Sequence, residues 1–375
     1  MKQATAQRTV LLMVRALSIG GCERDLTKMA LALDRSKYEP HVACFRPDGP
    51  RYPELAAAGV PVLHLPVTSF ASWSAVKGAF ELGRYIRRHR IQVLHAFDVP
   101  TDIFGAPVAR AFGVPAVITC QLSFRCAEFY TAAERRLLWV TDLLSDRIVV
   151  NSRAVQDDLI ARGVPASKLF VSYNGIDAAA FRRCEDAARV PQVAGASIVV
   201  GTICALRKEK RLDLLLTAFA RLIRPYPETR LLIVGTGEKE GAWRQLSEQL
   251  GLGPKCVFVP AQDDVRPWLH SMDVFVSTSE SESFPNAVLE AMAAGCCVVG
   301  SRVGGLPELI TDGQNGLMFD AGDVDMLERA LRRVLDGAAL RKRLASSAER
   351  TASEQFSIEI AARRTEALYS ALLDS

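Results

Sequence analysis

Short apolar runs punctuate the chain at nearly regular intervals, and stretches of helical period fill the gaps between them. In the first half the runs are TVLLMV (9–14), HVACF (41–45), PVLHL (61–65), VLHAF (93–97), AVITC (116–120), RIVVNS (147–152) and LFVSYNG (169–175). After the first run, Leu26, Met29, Ala30 and Leu33 fall on one face of a helix. Continuous apolar strands separated by helices predict a parallel sheet covered on both faces. The second half restarts the rhythm. SIVVGTI (197–203) leads to a helix around 212–222, and RLLIVGTG (230–237) leads to one at 243–250. CVFVPA (256–261), DVFVSTS (273–279), CCVVGS (296–301) and LMF (317–319) supply further strands. Residues 324–349 predict a helix with Leu327, Leu331, Val334 and Leu335 on its apolar face, and Phe356, Ile360, Leu368 and Leu372 continue a helical pattern to the end.

Two such units in tandem predict an α/β protein of two Rossmann-like domains, with a linker in the irregular stretch 176–196. Ligands are expected beyond the carboxyl ends of the strands, in the cleft between the lobes. A chain of 375 residues that is 49% hydrophobic can fill two cores, which excludes disorder. The net charge of +4 gives no argument for nucleic acid, but it suits anionic ligands or a membrane surface. The nine cysteines form neither a CxxC pair nor a metal-like cluster with histidine, and they read as buried reduced thiols. The apolar run 10–14 is too short for a signal peptide or a membrane span, so the expected compartment is cytoplasmic.

The densest chemistry lies in SESESFPNAVLEAMAAGCCVVGSRVGGLPELITDGQNGLMF, residues 279–319. Ser283 followed by Pro285, an Ala/Leu/Met-rich run and Gly295 reads as a capped helix with a defined stop. Glu282 then sits on the loop before the helix and Glu290 near its second turn. Backbone N–H groups from about Phe284 to Ala287 and the positive end of the helix dipole suit a phosphate, while the carboxylates suit sugar hydroxyls. A glutamate near a helix N-terminus can equally do no more than complement the dipole.

This stretch resembles the E-x7-E signature of family-4 glycosyltransferases, retaining enzymes of the GT-B fold, and its continuation VGGLPELITDGQNGLMF resembles the family too. The resemblance implies that Glu290 holds the nucleotide ribose and Glu282 the donor-sugar hydroxyls. Backbone around Phe284, Pro285 and Asn286 would meet the sugar and diphosphate. CALRKEKRLDLLLTAF (204–219) resembles the family's basic loop, which implies that Lys210 and Arg207 stabilise the departing diphosphate. The family arginine commonly lies where Ala205 or Cys204 stands here, so Arg207 is displaced. LLIVGTGEKE (231–240) resembles the turn beside the donor, carrying Gly235, and residues 257–279 resemble the segment flanking the base near Pro260. SIGGCERDLTKMALAL (18–33) resembles the first glycine-rich loop, which implies backbone approach to the diphosphate at Gly20 and Gly21.

VLHAFDVPTDIFG (93–105) resembles the strand end bearing a family histidine. His95 is the candidate, with Phe97 where many members have a second histidine, and it reads equally as a core residue. Asp98 is a further candidate for acceptor contact. The resemblance implies domains at 1–185 and 193–355, with a terminal helix, 356–375, returning to the N-terminal domain. It also implies transfer from a UDP- or GDP-linked sugar to a glycan, lipid-linked or small-molecule acceptor, as in polysaccharide or glycoconjugate synthesis, with no cofactor. No DxD-type carboxylate pair lies near a donor-phosphate loop to hold a metal. A sugar-nucleotide epimerase and a non-catalytic sugar-nucleotide-binding protein are the competing readings. The donor base, sugar and acceptor stay open; acceptor contacts are expected around 66–80 and 121–136. Finally, residues 74–90 predict a helix with Val76, Phe80 and Ile86 along one side and Lys77, Arg84, Arg87, Arg88 and Arg90 around the rest. Such a helix either rests on the inner face of an anionic membrane or packs its apolar side into the core.

Overall fold

The computed structural model describes residues 7–124, 131–183 and 188–374. The chain divides into two compact units, Met1–Gly175 with Ile358–Ser375, and Ile176–Ser357. The boundary expected at residue 185 lies outside the described residues, as do 125–130 of the expected acceptor segment 121–136. The linker stretch belongs to the second unit from its start. Ile176 bridges to Ser357, and its N–H donates to the Phe356 carbonyl at 2.9 Å.

The first unit is built on seven strands: β1 (Arg8–Ala16), β2 (Tyr38–Arg46), β3 (Val62–His64), β4 (Val93–Ala96), β5 (Ala116–Gln121), β6 (Arg147–Val150) and β7 (Leu169–Val171). Their order is β3-β2-β1-β4-β5-β6-β7, and every pairing is parallel. Because successive side chains of a strand point to opposite faces, β1 feeds two cores. Val10, Leu12 and Val14 pack with Leu26 and Met29, while Leu11 and Met13 pack with Leu82, Ile86 and Phe104. Both faces are dry, so the runs are continuously apolar. The terminal helix, Ile358–Leu373, delivers Ala361, Leu368 and Tyr369 to the first of these cores. Phe356, expected at its start, stays with the second unit.

His95 on β4 is 2% exposed. Its Nδ1 lies 2.7 Å from the Tyr369 hydroxyl and its Nε2 lies 3.1 Å from Cys120 Sγ. Of the two readings the sequence leaves open, its surroundings are those of a core histidine. The helix Trp73–His89 departs from expectation as well. Leu82 and Ile86 enter the core, but Val76 and Phe80 stay outside, 39% and 69% exposed. The cause is the seam of small residues. A Cβ at Gly78 would fall 2.6 Å from Val67, and one at Gly83 would fall 2.2 Å from the Phe112 ring, so the helix can approach only along the Gly78–Leu82–Ile86 line.

The second unit has six parallel strands: β8 (Ile198–Ile203), β9 (Thr229–Val234), β10 (Cys256–Val259), β11 (Val274–Ser277), β12 (Cys297–Ser301) and β13 (Leu317–Phe319). Their order is β10-β9-β8-β11-β12-β13. Leu215, Phe219, Leu231, Val274 and Leu331 share one core. The single helix expected over 324–349 is two, Val324–Asp336 and Ala338–Gln355, broken at Gly337.

Burial pushes the His95 pKa down to about 3. The unfolded chain, with an ordinary value of about 6.5, therefore binds the proton first, and stability falls as pH drops from there toward the folded value. Between pH 7 and 5 this group should cost the native chain about 2 kcal/mol. A His95→Asn variant, weaker at pH 7, should lose correspondingly less over the same interval in urea titrations. Equal losses in both proteins would refute the assignment.

Candidate active site

In the second unit the winding reverses between β8 and β11. From β8 the chain proceeds outward to β9 and β10; from β11 it proceeds the other way to β12 and β13. The crevice beyond the carboxyl ends at such a point is open to a ligand because the two following connections diverge. The loops that leave β8 and β11 carry Lys210 and Glu282.

These loops are tied to each other by four contacts. Lys210 Nζ donates to Glu282 Oε1 at 2.5 Å, with the two side chains 20% and 14% exposed. The Thr278 hydroxyl donates to the Lys210 carbonyl at 2.8 Å, and the Glu280 N–H to the Glu209 carbonyl at 2.9 Å. Arg211 Nη1 pairs with Glu280 Oε2 at 3.3 Å. Arg211 has a φ of 46°, left-handed backbone that costs a non-glycine residue roughly 1–2 kcal/mol. Its ion pairs with Glu280 and Asp213 hold it there. The Ser279 hydroxyl also donates to Glu282 Oε1, at 2.7 Å. The carboxylate is thus fixed from two directions.

A third loop holds the backbone of Glu282. The Gly305 N–H donates to the Glu282 carbonyl at 3.0 Å. Gly304, with a φ of 49°, packs so closely that a Cβ there would stand 1.7 Å from that oxygen. The turn after β9 does the same for the β8 loop. Gly235 has a φ of 148°, and a Cβ on it would stand 1.9 Å from the Cys204 carbonyl oxygen. Gly235 therefore shapes the lysine-bearing loop from below. Pro260 is exposed just past β10. Arg207 lies exposed on the same loop as Lys210, and its guanidinium forms no ion pair with a described residue.

The helix Asn286–Ala293 begins after Pro285 and has no side-chain cap, so Ser283 does not play the capping part expected of it. Phe284 is buried against Phe356, ring centroids 5.7 Å apart, which pins the loop just ahead of the helix. Glu290 is in the second turn and only 3% exposed. Ser279, Gly304 and Arg211 are the residues that sequence reasoning missed as supports. Only the folded loops show whom they touch.

In the first unit, Gly20 precedes the helix Gly21–Ala32, and its missing side chain makes room for Glu23. A Cβ on Gly20 would fall 2.2 Å from Glu23 Oε2. Asp98 caps the helix Val99–Ala111 and accepts from Thr101 N–H at 3.1 Å and from Arg15 N–H at 2.8 Å.

Residues 19–180 match the family described as Glycosyltransferase Family 4, and residues 185–351 match Glycosyl transferases group 1. A glycogen synthase of Mycobacterium tuberculosis (strain H37Rv) is 30% identical over 300 residues, covering 76% of this chain and 69% of that protein. The chain belongs to the family-4 glycosyltransferases. The lipopolysaccharide core biosynthesis glycosyltransferase LpsE of Rhizobium meliloti (strain 1021) is 36% identical over 174 residues, 46% of this chain and 50% of LpsE. The chain thus spans about half the length of this curated relative. The glycosyltransferase-family fold also aligns with the crystal structure of Anabaena Alr3699/HepE in complex with UDP. That match has a TM-score of 0.84 and 21% identity over 97% of this chain and all of that one.

Substituting Gly304→Ala in this glycosyltransferase should cost at least about 1–2 kcal/mol, because the new Cβ meets backbone and the φ is left-handed. Gly241→Ala, with open space around it in the helix Glu240–Gln249, should gain up to about 1 kcal/mol. Thermal melts of the two variants should therefore move in opposite directions.

Proposed function

We propose that this chain is a retaining glycosyltransferase. It moves a sugar from a UDP- or GDP-linked donor to a hydroxyl of a glycan, lipid-linked or small-molecule acceptor, without a metal or further cofactor. The observation that carries the reading is the Lys210–Glu282 pair at the switch point of the second sheet. An ammonium has three protons, and Glu282 takes one. The others can donate to the oxygens of a diphosphate as it departs with the bonding electrons from the sugar C1. The acceptor oxygen then bonds to C1, and its proton passes to the diphosphate. Fixed cations are worth most where charge develops, and the loop ties keep this one from having to reorganise.

Glu282 Oε1 is engaged by Lys210 and Ser279, so Oε2 is the oxygen for a donor-sugar hydroxyl. Glu290 would hold the ribose. The uncapped start of the helix Asn286–Ala293, around Phe284, Pro285 and Asn286, would face the sugar and diphosphate. Arg207, exposed and without an ion pair to a described residue, would assist from the loop. His95 is left out of the reacting set, since both ring nitrogens are engaged in the core. HepE bound to UDP and to UDP-glucose supports a uridine donor. An epimerase would turn over the donor without an acceptor, which the same assay separates.

We also place the enzyme at the cytoplasmic face of a membrane. No described helix is long and apolar enough to cross one. On the helix Trp73–His89, however, Trp73 is 82% and Phe80 69% exposed beside exposed Lys77, Arg84, Arg87 and Arg88. Apolar side chains next to cations suit an anionic bilayer surface.

Lys210→Ala and Glu290→Ala should each lower turnover of a UDP- or GDP-sugar panel by roughly 10²–10³-fold with the fold intact, and Arg207→Ala should cost less. Near-normal turnover in the Lys210 variant would overturn the diphosphate assignment. Proton NMR of the first product should show the donor's anomeric configuration, and EDTA should leave the rate unchanged. An inverted product, or activity restored only by a divalent ion, would sink those two points. Sedimentation with anionic liposomes should be salt-sensitive and weakened by Trp73→Ser with Phe80→Ser; no binding at low salt would end the membrane reading.

A further inference from the structure

The first unit holds a cavity of about 720 Å³ whose walls include Arg15, Phe45, Arg46, His64, Phe70 and Pro100. Arg15 is the penultimate residue of β1, Arg46 the last of β2 and His64 the last of β3. These strands are neighbours in the order β3-β2-β1. Pro100 follows β4, on the far side of the point where this sheet reverses its winding. The cavity therefore opens beyond the carboxyl ends of parallel strands, beside a switch point, where the fold leaves room for a ligand. Its volume is within the range of small-molecule sites.

The lining is chemically specific. Neither the Arg15 nor the Arg46 guanidinium is hydrogen-bonded or ion-paired to a described residue, and both residues line the cavity from the ends of adjacent strands. Phe70 is stacked on Phe104 at 6.1 Å and 12°, and Phe45 meets both rings edge-on. That packing fixes the Phe70 ring while leaving it 46% exposed. His64 Nε2 lies 3.2 Å from the Phe45 carbonyl, so Nε2 carries the proton and Nδ1 is left as an acceptor for a hydroxyl. Two cationic forks, an apolar ring face and one hydroxyl acceptor line the same cavity.

We propose that this cavity binds the acceptor, and that the acceptor bears a phosphate. One arginine fork saturates the two oxygens of a carboxylate, whereas a phosphate dianion offers three oxygens and can engage both forks. The ring or chain next to the phosphate lies against Phe70. The inference rests on the transferase reading for the word acceptor, but the anion site stands on its own residues.

The test is calorimetric titration of the full chain with phenyl phosphate, benzoate and benzyl alcohol, and separately with UDP. Phenyl phosphate should bind more tightly than benzoate, and benzyl alcohol weakest. Arg15→Gln and Arg46→Gln should each weaken phenyl phosphate by about tenfold and together abolish it. Arg329→Gln, on the exposed face of the helix Val324–Asp336, should change nothing. UDP affinity should be the same in all variants, which also reports that they are folded. Absence of phenyl phosphate binding to the native chain, or its survival in the double variant, overturns the inference while UDP binding is intact. Failure of the native chain to bind UDP, and also GDP in a parallel titration, counts against the transferase reading instead.

Discussion

Every strand pairing in both sheets is parallel, and much of the molecule's organisation follows from that constraint. A parallel neighbour cannot be reached by a tight turn, so most strands must be followed by a crossover through a helix. Helices then cover both faces, and each strand buries side chains to either side. All carboxyl ends of a sheet meet along one edge, and the loops leaving that edge are freest where the winding reverses. In the second unit that place falls between β8 and β11, and it is there that Lys210 and Glu282 meet.

Holding the pair takes more than the ion pair itself. A surface Lys–Glu contact is worth little because water screens it and two long side chains lose freedom. Here both partners are mostly buried, and the loops beneath them are joined through Thr278, Glu280 and Arg211. Gly304 and Gly235 allow backbone to press against the same two loops where any side chain would collide. The result is a cation whose position is set by the protein rather than by the ligand, the condition under which it acts most strongly on developing charge.

The first unit uses the same architecture differently. Its sheet core absorbs His95, and its switch-point edge carries aromatic side chains and arginines that form no ion pair with a described residue. The helix Trp73–His89 turns its glycines inward, which sends Trp73 and Phe80 outward with the cations.

The alternation of apolar runs and helical stretches was enough to give two parallel α/β units. Burial on both strand faces leaves a signal that any window of the sequence carries. The E-x7-E spacing, the basic loop and their resemblance to a family single out Lys210, Glu282 and Glu290 as candidates, because spacing along one loop and helix is a local property. The sequence could not show the surroundings of His95, since its partners Cys120 and Tyr369 are far away along the chain and meet it only in the folded unit. It misjudged Ser283 as a cap, the side of the helix Trp73–His89 that faces the core, and the continuity of the helix over 324–349. The last two depend on which small residue, Gly78, Gly83 or Gly337, sits against a neighbour or fits a particular bend of the backbone, and the first on the helix starting only after Pro285. Nor did any motif mark Arg15 and Arg46. They lie 31 positions apart in the numbering and meet at one cavity only because β1 and β2 end side by side, a pairing set by tertiary packing and not written in either strand alone.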